Sequence, residues 1–167
     1  MNKWLEILKN NDYISAKRYI NEGADVNECS DNGESVLAYA LRYRCDNDLV
    51  MLLIDSGADI YDFDENGVSI FEMAITYDNI EIVKYFISKG IDVNSTKRRS
   101  RFTPLMTAVA YGRVEVAKLL IEHGADKNAA DIKGISVVDF ARKLNKKSML
   151  QLLDYDENVP KNTNYAR

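Results

Sequence analysis

Thr103-Pro104-Leu105-Met106-Thr107-Ala108, followed by Gly112-Arg113-Val114-Glu115-Val116 and by Leu119-Leu120-Ile121-Glu122-His123-Gly124-Ala125-Asp126, decides how this chain is read. Threonine at the head offers a side-chain oxygen to the open amides of a helix start. Proline directly after it loses nothing there, because its missing N–H would have had no partner. Leu105, Ala108 and Val109 then recur at helical spacing and predict a short first helix. Gly112-Arg113 marks a turn. The apolar set Val114, Val116, Ala117, Leu119, Leu120 and Ile121 predicts a second helix, with Leu119 and Leu120 both on its buried face. Gly124 stands where that helix must stop, in the left-handed conformation that glycine takes freely.

Outward from this stretch the pattern repeats. Gly23-Ala24-Asp25, Gly57-Ala58-Asp59, Gly90-Ile91-Asp92 and Gly124-Ala125-Asp126 are spaced by 34, 33 and 34 residues. Ser35-Val36-Leu37-Ala38, Ser69-Ile70-Phe71-Glu72, Thr103-Pro104-Leu105-Met106 and Ser136-Val137-Val138-Asp139 are spaced by 34, 34 and 33. Two motifs on one period imply one supersecondary unit used several times. Between the glycine motif and the next Ser or Thr lies a polar, turn-rich finger, tipped by Asn32-Gly33, Asn66-Gly67 or Lys133-Gly134. The period has two irregularities. Ser35 to Gly57 is one residue longer than Thr103 to Gly124, near Cys45-Asp46-Asn47-Asp48, and Gly90 to Thr103 is one longer than Gly57 to Ser69, which enlarges the third finger.

With these residues in view the chain resembles the ankyrin repeat family over roughly residues 4–153, with Met106 in place of the usual histidine and Val36, Ile70 and Val137 where the family prefers proline. The resemblance implies an all-α solenoid of five helix pairs with hairpin-like fingers. The expected divisions are an N-terminal capping half-repeat over 1–29, repeats over 30–62, 63–96 and 97–129, and a C-terminal cap over 130–153. A disordered tail is expected over 154–167. Ends of a repeat stack need one water-compatible face. Arg18 at an otherwise apolar position, and Lys146 and Lys147 near the other end, meet that need.

Composition narrows the function. The chain has 167 residues, 46% hydrophobic and 29% charged, with a formal charge of −4. It is too apolar for a disordered chain, and no run approaches the roughly 18–20 apolar residues that cross a bilayer. The first residues, Met1-Asn2-Lys3-Trp4-Leu5-Glu6, have no uninterrupted apolar stretch, so no secretory signal is expected. Cys29 and Cys45 are too few for a disulfide scaffold, and a cytoplasmic protein with inert, reduced thiols is expected. No catalytic signature or ligand spacing for a metal occurs; His123 beside Glu122 reads as a residue that suits a helix C-terminus. Neither an enzyme nor a cofactor is expected.

The remaining signal lies in columns and finger tips. Tyr43, Tyr77 and Tyr111 share one repeat position near the end of the first helix. In the family it resembles, that position faces the concave groove where partners bind. Tyrosine suits recognition because it joins a large apolar face to a water-tolerant hydroxyl. Structural cover over the adjacent helix is the alternative reading of these rings. Lys97-Arg98-Arg99-Ser100-Arg101 makes the third finger basic, whereas Asp62, Asp64 and Glu65 make the second acidic, with Asp31 and Glu34 beside the first. The expected partner-binding set is therefore Tyr43, Tyr77 and Tyr111, with Arg98, Arg99 and Arg101 as charged contacts and Glu65, Asn66, Val68 and Met73 completing the patch. The partner is expected to be a protein bound by a monomer, either as adaptor, scaffold or regulator, as an effector aimed at a host protein, or as an accessory to a cytosolic enzyme. A nucleic acid held by residues 97–101 is the weaker reading, since one basic finger on an acidic chain offers few phosphate contacts.

Overall fold

A computed structural model describes residues 1–153; the tail expected over 154–167 lies outside the described residues. The chain forms two compact units, one over Met1–Ile91 and the other from Asp92 onward. Among the described residues there are ten α-helices and no strand. The first unit holds α1 (Asn2–Lys9), α2 (Tyr13–Asn21), α3 (Val36–Arg42), α4 (Asn47–Asp55), α5 (Ile70–Thr76) and α6 (Ile80–Ser88). The second holds α7 (Pro104–Tyr111), α8 (Val114–Glu122), α9 (Val137–Lys143) and α10 (Lys147–Leu152). In the first unit α1 packs on α2 and α3, and α3 packs on α4 and α5; in the second α7 packs on α8 and α9. Each helix is at most nine residues long, too short to persist alone in water. Burial against the neighbouring pair is what holds it.

The start signals read in the sequence are the caps found. Ser35, Ser69, Thr103 and Ser136 accept the amides of Ala38, Glu72, Met106 and Asp139 at the heads of α3, α5, α7 and α9. Glu72 and Asp139 return the bond to the amides of Ser69 and Ser136, closing capping boxes. The second helices end at a glycine column, Gly23, Gly57, Gly90 and Gly124, with φ from 86 to 99°. A Cβ at any of the four would meet no atom within 4 Å. Backbone conformation, rather than space, therefore selects glycine there.

The burial pattern departs from the sequence reading at α8. Val116, Ala117 and Leu120 form its buried stripe, while Leu119 and Ile121 are half-buried. Successive residues on a helix point about 100° apart, so Leu119 and Leu120 cannot both face the core squarely.

The turn inside each helix pair places one residue in the left-handed region: Asn11, Arg44, Asp78, Gly112 and Asn145, with φ between 49 and 70°. Only one of the five is glycine. Arg44 has a β-carbon that crowds this conformation and no short polar side chain to soften it. Arg44→Gly should raise the stability of the first unit by about 0.5–1 kcal/mol, the relief of strain being partly offset by a more flexible unfolded chain. A higher urea midpoint is the expected reading; a lower one would show that the arginine side chain makes a contact worth more than the strain.

The extra residue near Cys45 has a structural use. It lengthens the turn between α3 and α4, and that turn reaches back to the first pair. The Cys45 thiol donates to the Leu8 carbonyl at 3.2 Å, and the Asp46 amide donates to Asn11 Oδ1 at 2.9 Å. Finger bases are clipped in a similar way within each unit. Asn27 donates to the Gly57 carbonyl and accepts from the Asp59 amide. Asn94 does the same with Gly124 and Asp126.

Candidate functional site

In the first unit the column tyrosines are the residues that follow α3 and α5. Tyr43 is half-buried, with its ring centroid 5.8 Å from that of Tyr39 and the Lys9 ammonium 5.9 Å from its face. Tyr39 and Tyr43 lie four residues apart, on one helix face. Tyr77 is also half-buried, and its side chain is hydrogen-bonded to the Arg42 guanidinium. Arg42 pairs with the buried carboxylate of Glu34 and lies 5.3 Å from the Tyr39 ring. Burial works against the guanidinium charge, but Glu34, with Tyr77 and Tyr39 adding to it, outweighs that and holds Arg42 above the ordinary arginine value. Tyr43 and Tyr77 are thus joined through Tyr39 and Arg42.

The first two fingers meet this group at a cavity of about 360 Å³ lined by Asn32, Glu34, Arg42, Asp64, Glu65 and Asn66. Glu65 and Asn66 are exposed and line it from the second finger. Val68 is half-buried, and its amide donates to the Asp64 carboxylate, which also takes the Asn66 amide. Asp64 is therefore occupied in shaping the finger. Met73 is only 6% exposed; it belongs to the core of the first unit, on the face of α5 that the fold covers, and leaves the candidate patch. Tyr39, Arg42 and the buried role of Glu34 escaped the sequence reading. The signal was available: Tyr39 stands one helical turn before Tyr43, and Glu34 and Arg42 bracket a single short helix.

In the second unit Tyr111 is the last residue of α7, with 54% of its surface exposed. Arg99 and Arg101 are exposed, while Arg98 is half-buried with its guanidinium 5.4 Å from the Phe102 ring. The Phe102 ring meets Phe140 edge-on at 5.1 Å. The enlarged third finger also pairs differently. The other three close on isolated bridges between Cys29 and Ser35, Phe63 and Ser69, and Ala130 and Ser136. The third shares their tip turn, the Arg101 amide donating to the Arg98 carbonyl, but lacks such a bridge and has the Arg98 amide on Thr96 Oγ1.

Family profiles match the chain at two places, ankyrin repeats (3 copies) over residues 5–97 and ankyrin repeats (many copies) over residues 88–141. The chain belongs to the ankyrin repeat family. Its fold is the all-α ankyrin-repeat solenoid expected from the sequence. No curated protein matches it. Ankyrin repeats are general protein–protein interaction modules, and their families are typically non-catalytic.

Both thiols of this ankyrin repeat chain are held above their ordinary value. Burial, reinforced by the Asp46 charge, pushes the Cys45 thiol up to about 11. Cys29 is raised as well, by burial and then by Asp62 and Asp25. Thiols held above their ordinary value are poor nucleophiles at neutral pH. His123 follows α8 and its Nδ1 lies 2.9 Å from the Leu119 carbonyl, a helix-end contact. Among the described residues no group of His, Cys, Asp and Glu could hold a metal ion, and no helix is long and apolar enough to cross a membrane.

Proposed function

We propose that the chain is a non-catalytic adaptor or regulator that binds a partner protein through the tyrosines ending its first helices and through its finger tips. The observation that carries this reading is the group around Tyr77. Two half-buried tyrosines, an ion pair and a polar cavity converge where a packed core would place apolar side chains. Arg42 is already held in place by Glu34, so a partner would meet a preformed surface and little ordering would oppose binding. Tyr43, Tyr77, Glu65, Asn66 and Val68 supply contacts from the first unit. Tyr111, Arg98, Arg99 and Arg101 supply them from the second. A cytoplasmic setting fits the reduced, unpaired cysteines.

Tyr77→Ala should weaken partner binding by about 1–3 kcal/mol, the range of an aromatic hot spot, with the helical content unchanged. Affinity purification with mass spectrometry, comparing the native chain with a Tyr43, Tyr77 and Tyr111 triple-alanine variant, provides the partner and tests the surface together. The expected result is a stoichiometric protein retained by the first and lost by the second. Equal retention by both, or a triple variant that merely unfolds while Tyr77→Ala binds normally, would make the tyrosines structural cover.

A further inference from the structure

The formal charge of −4 conceals a strong separation. Residues 1–91 carry 8 Lys and Arg against 17 Asp and Glu, a formal −9, whereas residues 92–153 carry 12 against 6, a formal +6. Within the second unit five of the twelve cations gather at one tip. The Ile132 amide donates to the Ser100 carbonyl at 2.8 Å, binding the fourth finger to the third. Lys133 is thereby brought beside the turn that carries Lys97, Arg98, Arg99 and Arg101. Lys97, Arg99, Arg101 and Lys133 make no ion pair among the described residues. The carboxylate of Asp131, two residues before Lys133, is taken up by the amides of Lys133 and Ile135. Ile132, between the cations, is 64% exposed.

Arg101 makes the arrangement purposeful. The other three finger tips place Gly33, Gly67 and Gly134 in the left-handed region, with φ of 72, 76 and 79°, and the third places Arg101 there at 59°. A side chain at that position strains the turn, and its charge adds to the repulsion among its neighbours. Neither effect serves folding. Strain alone does not mark a site, as Arg44 shows; here the strained arginine stands among four other cations, Lys97, Arg98, Arg99 and Lys133.

We propose that the joined tips of the third and fourth fingers are a docking site for an acidic segment of a partner protein that also carries an apolar side chain. The proposal rests on the reading of the chain as a protein-binding module and gives the partner its chemistry. The cations take the carboxylates, and Ile132 takes the apolar side chain. A nucleic acid gains affinity from many phosphates spread along a strand and has no use for the exposed isoleucine.

The test uses the full chain and a fluorescein-labelled peptide of mixed glutamate and leucine, followed by anisotropy at two salt concentrations. The glutamine version of that peptide and a DNA oligonucleotide of equal charge serve as competitors. Binding of the glutamate peptide, weakened by salt and resistant to the glutamine peptide, is expected. Arg99→Glu with Lys133→Glu should weaken it at least tenfold, while Lys118→Glu with Lys143→Glu, the same charge change on exposed helix positions of the second unit, should stay within about twofold. Arg101→Gly should weaken binding and raise thermal stability together, a combination that a structural role would not produce. No peptide binding, equal losses in both double variants, or stronger binding of the oligonucleotide would each overturn the proposal. Peptide binding reports on the finger tips and the purification reports on the tyrosines, so failure of one is told apart from failure of the other.

Discussion

Trp4→Ala should lower the stability of the first helix pair by about 3–5 kcal/mol, at the upper end of core truncations. The indole is fully buried, its centroid lies 5.0 Å from that of Tyr19, and its Nε1 donates to the Asp25 carbonyl at 3.0 Å. One side chain therefore joins α1 to α2 and to the base of the first finger. Alanine removes the aromatic volume and also leaves the Asp25 carbonyl without its donor. A single helix pair has little stability of its own, so the loss should appear as local unfolding. Hydrogen exchange in Asn2–Asn21 should accelerate while the amides of α7 and α8 keep their protection. Uniform acceleration along the chain would show that the pair does not open separately; an unchanged pattern would show that the indole is dispensable.

Leu120→Ala should cost about 2–5 kcal/mol, and Leu119→Ala only about 1 kcal/mol, a contrast between adjacent leucines. Leu120 is fully buried in the stripe with Val116 and Ala117, whereas Leu119 is half-buried. Truncating Leu120 leaves a cavity that close-packed neighbours fill only partly, while the Leu119 site remains open to water. Urea denaturation of both variants measures the difference. Equal losses would mean that Leu119 is packed as closely as Leu120.

The helix pairs were readable because their information is local. Ser35, Ser69, Thr103 and Ser136 begin helices through bonds that span three residues, and the glycine column ends them through backbone conformation alone. Burial is not local in this sense. Residues 39, 73 and 107 occupy one repeat position, yet Tyr39 is half-buried while Met73 and Thr107 are buried, because each meets different neighbours. The same reason hid the pairing of Arg42 with Glu34 and Tyr77: an arginine at the end of a helix reads as solvated until a carboxylate from the preceding finger is found against it. The placement of Met73 and Leu119 could be settled only by knowing what packs on each helix.

Of the five left-handed turn residues, Asn11, Asp78 and Asn145 have the short polar side chains that tolerate this conformation, and Arg44 alone resists it. The fold thus holds a reserve of heat tolerance at that turn, reachable by one exchange to glycine far from its finger tips. A lineage moving to a hotter niche, or an engineer needing a sturdier scaffold, could draw on it without redesigning what the fingers recognise.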